Sequence, residues 1–272
     1  MDKGENNIAL TPVSIIIPCL NEEHYIGTLL ACLARQTFKD FEIIVVDAFS
    51  SDDTKGAFDR AVSSHPSLEG KARFISADKG VAHQRNVGAH EAKYERLLFL
   101  DADVQVPDTF LGTMLKELAK QKITLATAIF EPISDRVDDK FFYYLGNIYI
   151  QLQQFVRPVA MGFCIFSTKK LHHALGGFDE KLRIGEDFDY IQRATKQRVR
   201  LKVLMKERVF VSVRRLNKEG RFTYYKKAFF SEMEHLLTNS KEAYDDIEYD
   251  FGVFDGGHEE KAIDPNAPKK TL

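Results

Sequence analysis

Two carboxylates stand directly behind an apolar run near the middle of the chain. Asp101 and Asp103 flank Ala102 immediately after the sequence LLFL at 97–100. Two acids at the end of a buried strand are costly to ionise unless a cation compensates them. Carboxylate oxygens are the hard ligands that magnesium and manganese prefer. We therefore expect a divalent metal site here, of the kind that can hold a phosphate-bearing ligand.

Two other polar clusters also follow apolar runs. One is PCLNEE at 18–23, and the other is DAFSSDDT at 47–54. A structural alternative exists for both clusters, because Asn21, and Ser51 or Asp52, could simply cap the helix that follows. Capping is a weaker alternative for Asp101 and Asp103, since two adjacent buried acids need a counter-charge.

These clusters lie at the ends of predicted strands. Runs rich in β-branched or aromatic residues predict buried strands over 13–17, 42–46, 72–76 and 96–100, and segments with helical spacing follow the first three, over 22–34, 52–64 and 80–93. Such alternation indicates an α/β fold with a doubly wound, mainly parallel, Rossmann-like sheet and helices on both faces. Ligands bind beyond the carboxyl ends of such strands, so all three clusters should share one edge.

Composition sets broad limits on the class of protein. A chain of 272 residues with 44% hydrophobic content can form one large domain, and a net charge of −2 argues against nucleic acid as a partner. Three scattered cysteines, Cys19, Cys32 and Cys164, indicate reduced thiols. The polar N-terminus lacks the pattern of a signal peptide. We therefore expect a cytoplasmic protein.

Phosphate-binding loops of the common types are missing from the sequence. No Gly-x-Gly-x-x-Gly follows a predicted strand and there is no Walker-type loop, which argues against an NAD-linked oxidoreductase or a P-loop NTPase. A sugar nucleotidyltransferase would carry a glycine-rich basic loop after the first strand, and residues 18–23 do not supply one.

Six short motifs occur together in the chain: Pro-x-x-Asn-Glu at 18–22, Val-Asp-x-x-Ser-x-Asp-x-Thr at 46–54, Arg-Asn-x-Gly at 85–88, Phe-Leu-Asp-Ala-Asp at 99–103, Gly-Gly-Phe-Asp at 176–179 and Gly-Glu-Asp at 185–187. In this order and spacing they resemble the inverting family 2 glycosyltransferases of the GT-A fold, over about 13–227. The resemblance implies a nucleoside-diphosphate sugar donor, with UDP- and GDP-sugars expected first, and a glycan or lipid-linked acceptor.

The resemblance also implies roles for individual residues. Those expected to bind the nucleotide sugar are Pro18, Asn21, Glu22, Asp47, Ser50, Arg85, Asp101 and Ala102. Asp103 would hold Mn²⁺ or Mg²⁺, and Gln105 would assist, because Asp-Ala-Asp-x-Gln is similar to the metal-site run of polyprenyl-phosphate sugar transferases. Two positions depart from the family pattern: Ala48 stands where a second Asp is common, and Phe49 where Gly is usual.

Glu186 and Asp187 resemble the catalytic pair of the family, with Asp187 as general base. The alternative is that both acids only begin a helix over 188–196, where they would favour its dipole. An inactive nucleotide-sugar-binding module would keep every donor motif, and Asp187 argues against it. A sugar nucleotidyltransferase is the weaker alternative.

Charge and apolar residues are unevenly distributed in the second half. Residues 193–227 contain 13 Lys or Arg and 2 acids, among them Arg214 and Arg215, which could face a phosphate or the acceptor; a solvated basic surface is the alternative. Apolar residues at helical spacing (Phe141, Leu145, Ile148, Leu152 and Phe155) predict a helix face that packs in the core. An anionic membrane surface is the alternative partner for that face, which would make the protein peripheral on the cytoplasmic side. Arg157 and several amides argue against a membrane-spanning helix.

The chain is expected to divide into three parts. Residues 1–11 form an N-terminal extension, and 12–235 form the GT-A domain, with a donor half over 12–107 and an acceptor half over 108–235. Residues 236–272 form an acidic, partly disordered tail after a C-terminal helix.

Overall fold

The protein is described here from a computed structural model, which covers residues 10–226 and 265–266. Strands run over β1 (Val13–Cys19), β2 (Phe41–Asp47), β3 (Ala72–Ser76), β4 (Arg96–Leu100), β5 (Val104–Gln105), β6 (Ala126–Pro132), β7 (Cys164–Thr168) and β8 (Lys202–Val211). Helices run over α1 (Ile26–Ala34), α2 (Thr54–Ser64), α3 (Val81–Glu91), α4 (Phe110–Gln121), α5 (Val137–Val156), α6 (Lys169–Leu175), α7 (Glu186–Lys196) and α8 (Arg214–Glu219). A helical segment at 221–226 follows α8. The four predicted strands are confirmed as β1 to β4.

The described strands form one sheet in the order β3-β2-β1-β4-β7-β6-β8-β5. Strands β1 to β4 pair in parallel, and so do β6 and β8, whereas β7 runs antiparallel to β4 and β6. The carboxyl ends of β1, β2 and β4 therefore meet at one edge, as the sequence predicts. A mostly parallel α/β sheet flanked by helices is confirmed.

Helices cover both faces of the sheet because successive side chains of its strands point to opposite sides. Ile15 and Ile17 of β1 pack with α1, α2 and α4, whereas Ile16 packs with α3, α6 and α7. Helix α3 lies very close to β1: a Cβ added at Gly88 would come within 2.3 Å of Ile16 Cγ2. The glycine of the Arg-Asn-x-Gly motif thus brings α3, and with it Arg85, against the sheet.

The helices begin at other residues than predicted. Helix α2 begins at Thr54 instead of 52, and α3 begins at Val81 instead of 80. Helix α1 begins at Ile26 instead of 22, because Asn21 has a φ of 57° and the backbone N–H of Glu22 donates to Thr54 Oγ1 (2.8 Å). Helix α7 begins at Glu186 instead of 188, directly after Gly185, whose φ is 78°. Glu186 and Asp187 therefore belong to the first turn of α7.

The prediction that the apolar face of 141–155 packs in the core is wrong. In α5 it is Ile150 that is fully buried, next to Phe130 and Val203 of the sheet. Phe141 and Phe155 lie on the other side and are 60% and 83% exposed. The face of the helix that contains Ile150 packs on the sheet, so the other apolar face, which contains Phe141 and Phe155, lies outside the core. Within the described residues, no helix is long and apolar enough to cross a membrane.

Several predictions fall on parts of the chain outside the described residues. The N-terminal extension is covered only at Leu10 and Thr11, and the tail over 236–272 only at Pro265 and Asn266. Asn266 Oδ1 accepts a hydrogen bond from the backbone N–H of Asp108 (2.9 Å), just before α4. The division into donor and acceptor halves stays a prediction. All three cysteines are free and buried, as expected for reduced thiols.

Candidate active site

The loops that follow β1 and β2 are joined by hydrogen bonds around Asp47. The carboxylate of Asp47, at the end of β2, accepts from both the backbone N–H (3.0 Å) and the hydroxyl of Ser50. The hydroxyl oxygen of Ser50 in turn accepts from the backbone N–H of Asn21 (2.8 Å). The side-chain oxygen of Asn21 accepts from the backbone N–H of Ser51 (2.9 Å). Asn21 therefore fixes the loops to each other and does not cap α1, which begins five residues later. Pro18 lies buried in β1, beside this junction.

Phe49 lies in the same loop with a φ of 55° and is 67% exposed. A left-handed backbone costs a residue with a Cβ about 1–2 kcal/mol relative to the ordinary conformation, and glycine avoids that cost. The conformation of the loop thus explains why glycine is usual at this position, although this chain carries Phe there.

Arg85 of α3 connects three elements at the strand ends. Its Nη1 donates to Glu186 Oε1 of α7 (2.8 Å), and its Nη2 donates to Asp101 Oδ1 (2.9 Å) and to the carbonyl oxygen of Gly162 (2.9 Å). The guanidinium lies 5.4 Å from the centroid of the Phe178 ring. Arg85 is only 1% exposed, and its Nε finds no hydrogen-bond partner among the described residues. The side chain is therefore held on all sides inside the protein.

Asp187 lies beside this network. Burial, and then the negative charge of Glu186, raise the pKa of the Asp187 carboxyl to about 7, although Arg85 and the backbone N–H of Phe188 lower it. That N–H donates to Asp187 Oδ1 at 2.7 Å. A Cβ added at Gly162 would lie 3.1 Å from Asp187 Oδ2 and 2.9 Å from Arg85 Nη2. Gly162 thus leaves the space in which both side chains meet.

Arg214 forms a second network with two further acids. Its Nη1 and Nη2 pair with both carboxylate oxygens of Glu22 (2.7 Å each), and its Nε lies 3.1 Å from Asp103 Oδ2. The guanidinium also lies 4.5 Å from the centroid of the Tyr25 ring. Burial raises the pKa of Glu22 to about 7 and raises that of Asp103, and the positive charge of Arg214 opposes both shifts. Arg214 therefore supplies the counter-charge of this acidic pair.

The structure brings together most of the residues that the sequence selects. The negative charges of Asp103 and Asp101 contribute to the raised pKa of Glu22, and that of Asp101 contributes to the raised pKa of Asp103. Asp101 also pairs with Arg85 and so joins the two networks. Ala102 is buried between the two acids. Arg215 is the exception, because its guanidinium pairs with Glu219 (2.9 Å) within α8. Gly162 and Tyr25 contact the site but lie in none of the six motifs.

The donor atoms available to a metal are carboxylate and amide oxygens. Asp103 ends the turn after β4, and Gln105 is buried in β5 two residues later. No group of three or more His, Cys, Asp or Glu side chains in the part of the chain that the structure describes is arranged to hold a metal. Hard oxygen donors fit Mn²⁺ or Mg²⁺, which keep several non-protein ligands such as water and phosphate oxygens. The cation that lies against Asp103 in this structure is the guanidinium of Arg214.

Comparison with known proteins gives the class of protein first: several of its curated relatives are named glycosyltransferases. More narrowly, a family model described as "Glycosyl transferase family 2" matches residues 14–173, more than half of the chain. The chain belongs to glycosyltransferase family 2. The prediction made from the six motifs is confirmed.

Two curated relatives illustrate the likeness. The teichoic acid poly(glycerol phosphate) polymerase of Staphylococcus epidermidis is 27% identical over 198 residues, which are 67% of this chain and 26% of that protein. The amylovoran biosynthesis glycosyltransferase AmsB of Erwinia amylovora is 28% identical over 205 residues, which are 67% of this chain and 64% of that protein. The chain thus spans about a quarter of the first relative and just under two thirds of the second.

Solved structures share the fold. The mannosyltransferase PcManGT from Pyrobaculum calidifontis, in complex with GDP-Man and Mn²⁺, superimposes with a TM-score of 0.65 at 22% identity, covering 90% of this chain and 69% of that one. S. aureus TarS 1-349 in complex with UDP-GlcNAc gives a TM-score of 0.57 at 20% identity, covering 74% of this chain and 58% of that one. The predicted GT-A fold is confirmed by this likeness.

Proposed function

We propose that the protein is an inverting glycosyltransferase that moves a sugar from a nucleoside-diphosphate sugar to an acceptor hydroxyl, with Asp187 as the general base and a divalent metal at Asp103. Donor binding is supported by the two solved neighbours, one bound to GDP-Man with Mn²⁺ and the other to UDP-GlcNAc. The acceptor hydroxyl belongs to a glycan or a lipid-linked molecule. Three free, buried cysteines support a reducing compartment, the cytoplasm.

One observation carries the proposal: the carboxyl of Asp187 lies beside Arg85 and Glu186 at the edge where the acidic motifs meet, and burial and the charge of Glu186 raise its pKa to about 7. A general base works best when its pKa lies near the operating pH, because it is then largely ionised and still basic enough to take a proton. Burial and Glu186 produce this value, and a residue that only began a helix would have no need of it.

The reaction follows from this placement. The acceptor oxygen forms a bond to C1 of the sugar from the side opposite to the diphosphate, and the bond between C1 and the diphosphate oxygen breaks. The hydroxyl proton passes to the carboxylate of Asp187, and the electron pair of the broken bond leaves with the diphosphate. Attack from the opposite side inverts the configuration at C1. Arg85 holds Glu186 and Asp101 in place during this step.

The acids beside Arg214, together with Asp47 and Asp101 at the ends of β2 and β4, serve the donor. Asp47 and Glu22 accept hydrogen bonds from the nucleoside, and Asp101 from the ribose or the sugar. Asp103 and Gln105 hold the metal, which when bound offsets the negative charge of the diphosphate. Arg214 Nε lies 3.1 Å from Asp103 Oδ2, so its positive charge is placed to share that task.

Replacing Asp187 tests the proposal. Asp187→Asn keeps the size of the side chain but removes its basicity, so the turnover number is expected to fall by about 10²–10⁴. The dissociation constant of the donor, measured by calorimetry, should stay the same because Asp187 faces the acceptor. Asp179→Asn is the matched control: its carboxylate accepts from the backbone N–H of Lys181 in a turn, and its turnover should match that of the wild type.

The pH profile gives a second readout. The base is ionised above its pKa, so kcat/KM of the wild type should rise as pH increases towards about 7 and then level off. Asp187→Asn should lose this acidic limb. Wild-type transfer by Asp187→Asn would reduce Asp187 to a helix-start residue. Donor binding without release of nucleoside diphosphate, even when acceptors are supplied, would identify a binding module instead.

A further inference from the structure

Helix α5 carries an apolar face that the rest of the described chain does not cover. Six large side chains share it (Phe141, Tyr144, Leu145, Ile148, Leu152 and Phe155), and every one is exposed. Between Phe141 and Val156 the sequence contains no Asp, Glu, Lys or Arg. A helix of 20 residues is about 30 Å long, so the stripe is far larger than the scattered apolar residues of an ordinary surface.

The opposite face of α5 is fixed to the protein. The side-chain amide of Asn147 accepts from the backbone N–H of Phe130 (3.0 Å) and donates to its carbonyl oxygen (2.6 Å), and Ile150 is fully buried. Tyr143 packs on the Phe130 ring with a centroid distance of 5.5 Å. The helix therefore lies flat along the domain and presents its apolar face outwards. That is the geometry of a helix that binds in the plane of a membrane surface.

Cations and acids both lie at the first turns of the stripe, where Arg136 pairs with Asp138 and Lys140 is the exposed cation next to Phe141. Arg221 pairs with the buried Asp139 (2.7 Å), and the Tyr225 ring stacks on Phe142 at 3.9 Å, which brings the segment 221–226 against α5. This contact places Phe222, which is 81% exposed, near the start of the apolar face. The exposed Lys140 lies on the same part of α5. An apolar side chain and a cation thus occur together at this end.

The other end of the stripe has cations too. Gln154 Oε1 accepts from the backbone N–H of Val203 (3.4 Å), so the end of α5 lies beside the start of β8. The residues just before β8 include Arg198 and Arg200, both exposed, and they belong to the basic stretch over 193–227. Apolar side chains with Lys140 at one end and Arg198 and Arg200 at the other match a bilayer with anionic headgroups, which attract Lys and Arg near the membrane surface.

We infer that the exposed face of α5, with its flanking cations, binds the surface of a bilayer that contains anionic lipids. The chain runs from the end of α5 directly to the site: the Arg157 guanidinium lies 5.1 Å from the Phe188 ring centroid, and the carbonyl oxygen of Gly162 contacts Arg85. Docking by this face brings Asp187 close to the lipid surface. On the proposed function, the acceptor is therefore a hydroxyl displayed at a membrane; the binding itself does not depend on that function.

Flotation of the full chain with lipid vesicles tests the inference. We expect binding to vesicles of phosphatidylcholine mixed with phosphatidylglycerol, weaker binding to phosphatidylcholine alone, and a loss of binding as salt screens the charges. The double variant Leu152→Glu/Phe155→Glu should bind at least about tenfold more weakly, because it removes two large apolar side chains from the contact and adds two negative charges. Both positions are exposed, so its thermal melting should match the wild type.

The control adds the same two charges elsewhere. Ser63 and Ser64 are exposed at the end of α2, which packs on β3 at the edge of the sheet away from β6 and β8, so Ser63→Glu/Ser64→Glu should float like the wild type. Absence of vesicle binding by the wild type, or equal loss in both double variants, would overturn the inference. So would a dimer, detected by light scattering, that Leu152→Glu/Phe155→Glu converts to a monomer without any vesicle binding.

The vesicle assay needs neither donor nor turnover, so its result is independent of the catalytic proposal. Asp187→Asn should bind vesicles like the wild type even where its transfer activity is lost. A chain that floats but never transfers sugar would leave this inference standing and end the proposed function.

Discussion

Arg85 and Arg214 each join two carboxylates that come from separate elements, but they are supported differently. Arg85 belongs to the middle of α3, is 1% exposed, and reaches Asp101, Glu186 and a backbone carbonyl. Arg214 begins the short helix α8, and its side chain is 16% exposed. It reaches Glu22 and Asp103, the acids that the proposed function assigns to the nucleoside and the metal.

The difference separates a fixed counter-charge from one that can be exchanged. Removing one member of a buried ion pair leaves an uncompensated charge that solvent cannot reach, which costs far more than the pair contributes. Arg85 is the buried member of its pairs: Asp101 and Glu186, whose side chains are 36% and 13% exposed, would lose their cation in a part of the site that no ligand cation is expected to enter. Arg214 balances acids at an edge that a cation and a diphosphate are expected to enter, so another cation can take over its role. Arg85 should therefore maintain the geometry of the site, and Arg214 should respond to its ligands.

Removing Arg85 should have the largest effect on stability. Arg85→Ala leaves Asp101, Glu186 and Asp187 without their cation, and the free energy of unfolding at pH 8 is expected to fall by about 3–5 kcal/mol. The loss should shrink as pH is lowered, because protonation removes the uncompensated charges, and the Asp187 carboxyl begins to protonate near pH 7. Chemical denaturation at several pH values measures both.

Arg60→Ala is the control for this change. Arg60 pairs with Asp53 at 2.7 Å, but both side chains are mostly exposed, so its removal should change the unfolding free energy by at most about 1 kcal/mol. A similar, pH-independent loss in the two variants would show that Arg85 contributes no more than a surface pair.

Removing Arg214 should be less costly and should be reversible by metal. Arg214→Ala takes away two hydrogen bonds to Glu22 and the charge beside Asp103, with an expected loss of about 1.5–3 kcal/mol in a metal-free buffer. Added Mn²⁺ should restore part of it, because a cation that binds only the folded state stabilises that state. Arg85→Ala should gain no more from Mn²⁺ than the wild type does.

Two further variants make the metal test specific. Arg214→Ala/Asp103→Asn should lose the recovery, since the metal ligand is gone. In Arg215→Ala the lost pair is with Glu219, inside α8, so Mn²⁺ should act on it as on the wild type. Equal recovery of Arg85→Ala and Arg214→Ala would mean that the two networks do not differ in the way their burial indicates.

Periodicity was sufficient to predict the first half of the fold. Each of β1, β2 and β4 is a short run of mostly buried, mainly apolar residues, as buried parallel strands are, whereas β3, at the edge of the sheet, is only partly buried. The helix starts were harder, because the start of α1 is displaced by contacts with the loop after β2, more than 25 residues away in sequence. The sequence could not predict which apolar face of α5 is buried. Both faces have helical spacing, and only contact with the sheet determines that the face with Ile150 is the buried one.

In the candidate site too, features local in sequence could be predicted and contacts between distant residues could not. Residues in compact motifs, such as Asp101 and Asp103, could be selected because their types and spacing already suggest a metal. Their partners could not, because Arg85 meets Glu186 across 101 residues and Arg214 meets Glu22 across 192. Gly162 carries no chemical group that would single it out. Its importance comes from two side chains that approach its Cα.

Gly162 provides the smallest and most selective test of the comparison, because it asks whether the Arg85 network also positions the base. A Cβ there would lie 2.9 Å from Arg85 Nη2 and 3.1 Å from Asp187 Oδ2. Both contacts are too short for a Cβ, so Arg85 and Asp187 are both expected to shift by a few tenths of an ångström. A displacement of a fraction of an ångström weakens catalysis without removing any chemical group, and Gly162→Ala should lower the turnover number by about 10- to 100-fold.

The donor affinity of Gly162→Ala should change less than its turnover number, since Glu22 and Asp103 lie in the Arg214 network, although Asp101, which also serves the donor, contacts Arg85. Gly27→Ala is the matched control: a Cβ at Gly27 meets nothing within 4 Å, and alanine favours the helix by up to about 1 kcal/mol, so turnover should be unchanged and stability should rise. If Gly162→Ala instead loses donor affinity with an unchanged turnover number, the space beside Asp187 serves the nucleotide sugar. The division of labour between the two arginines would then have to be reversed.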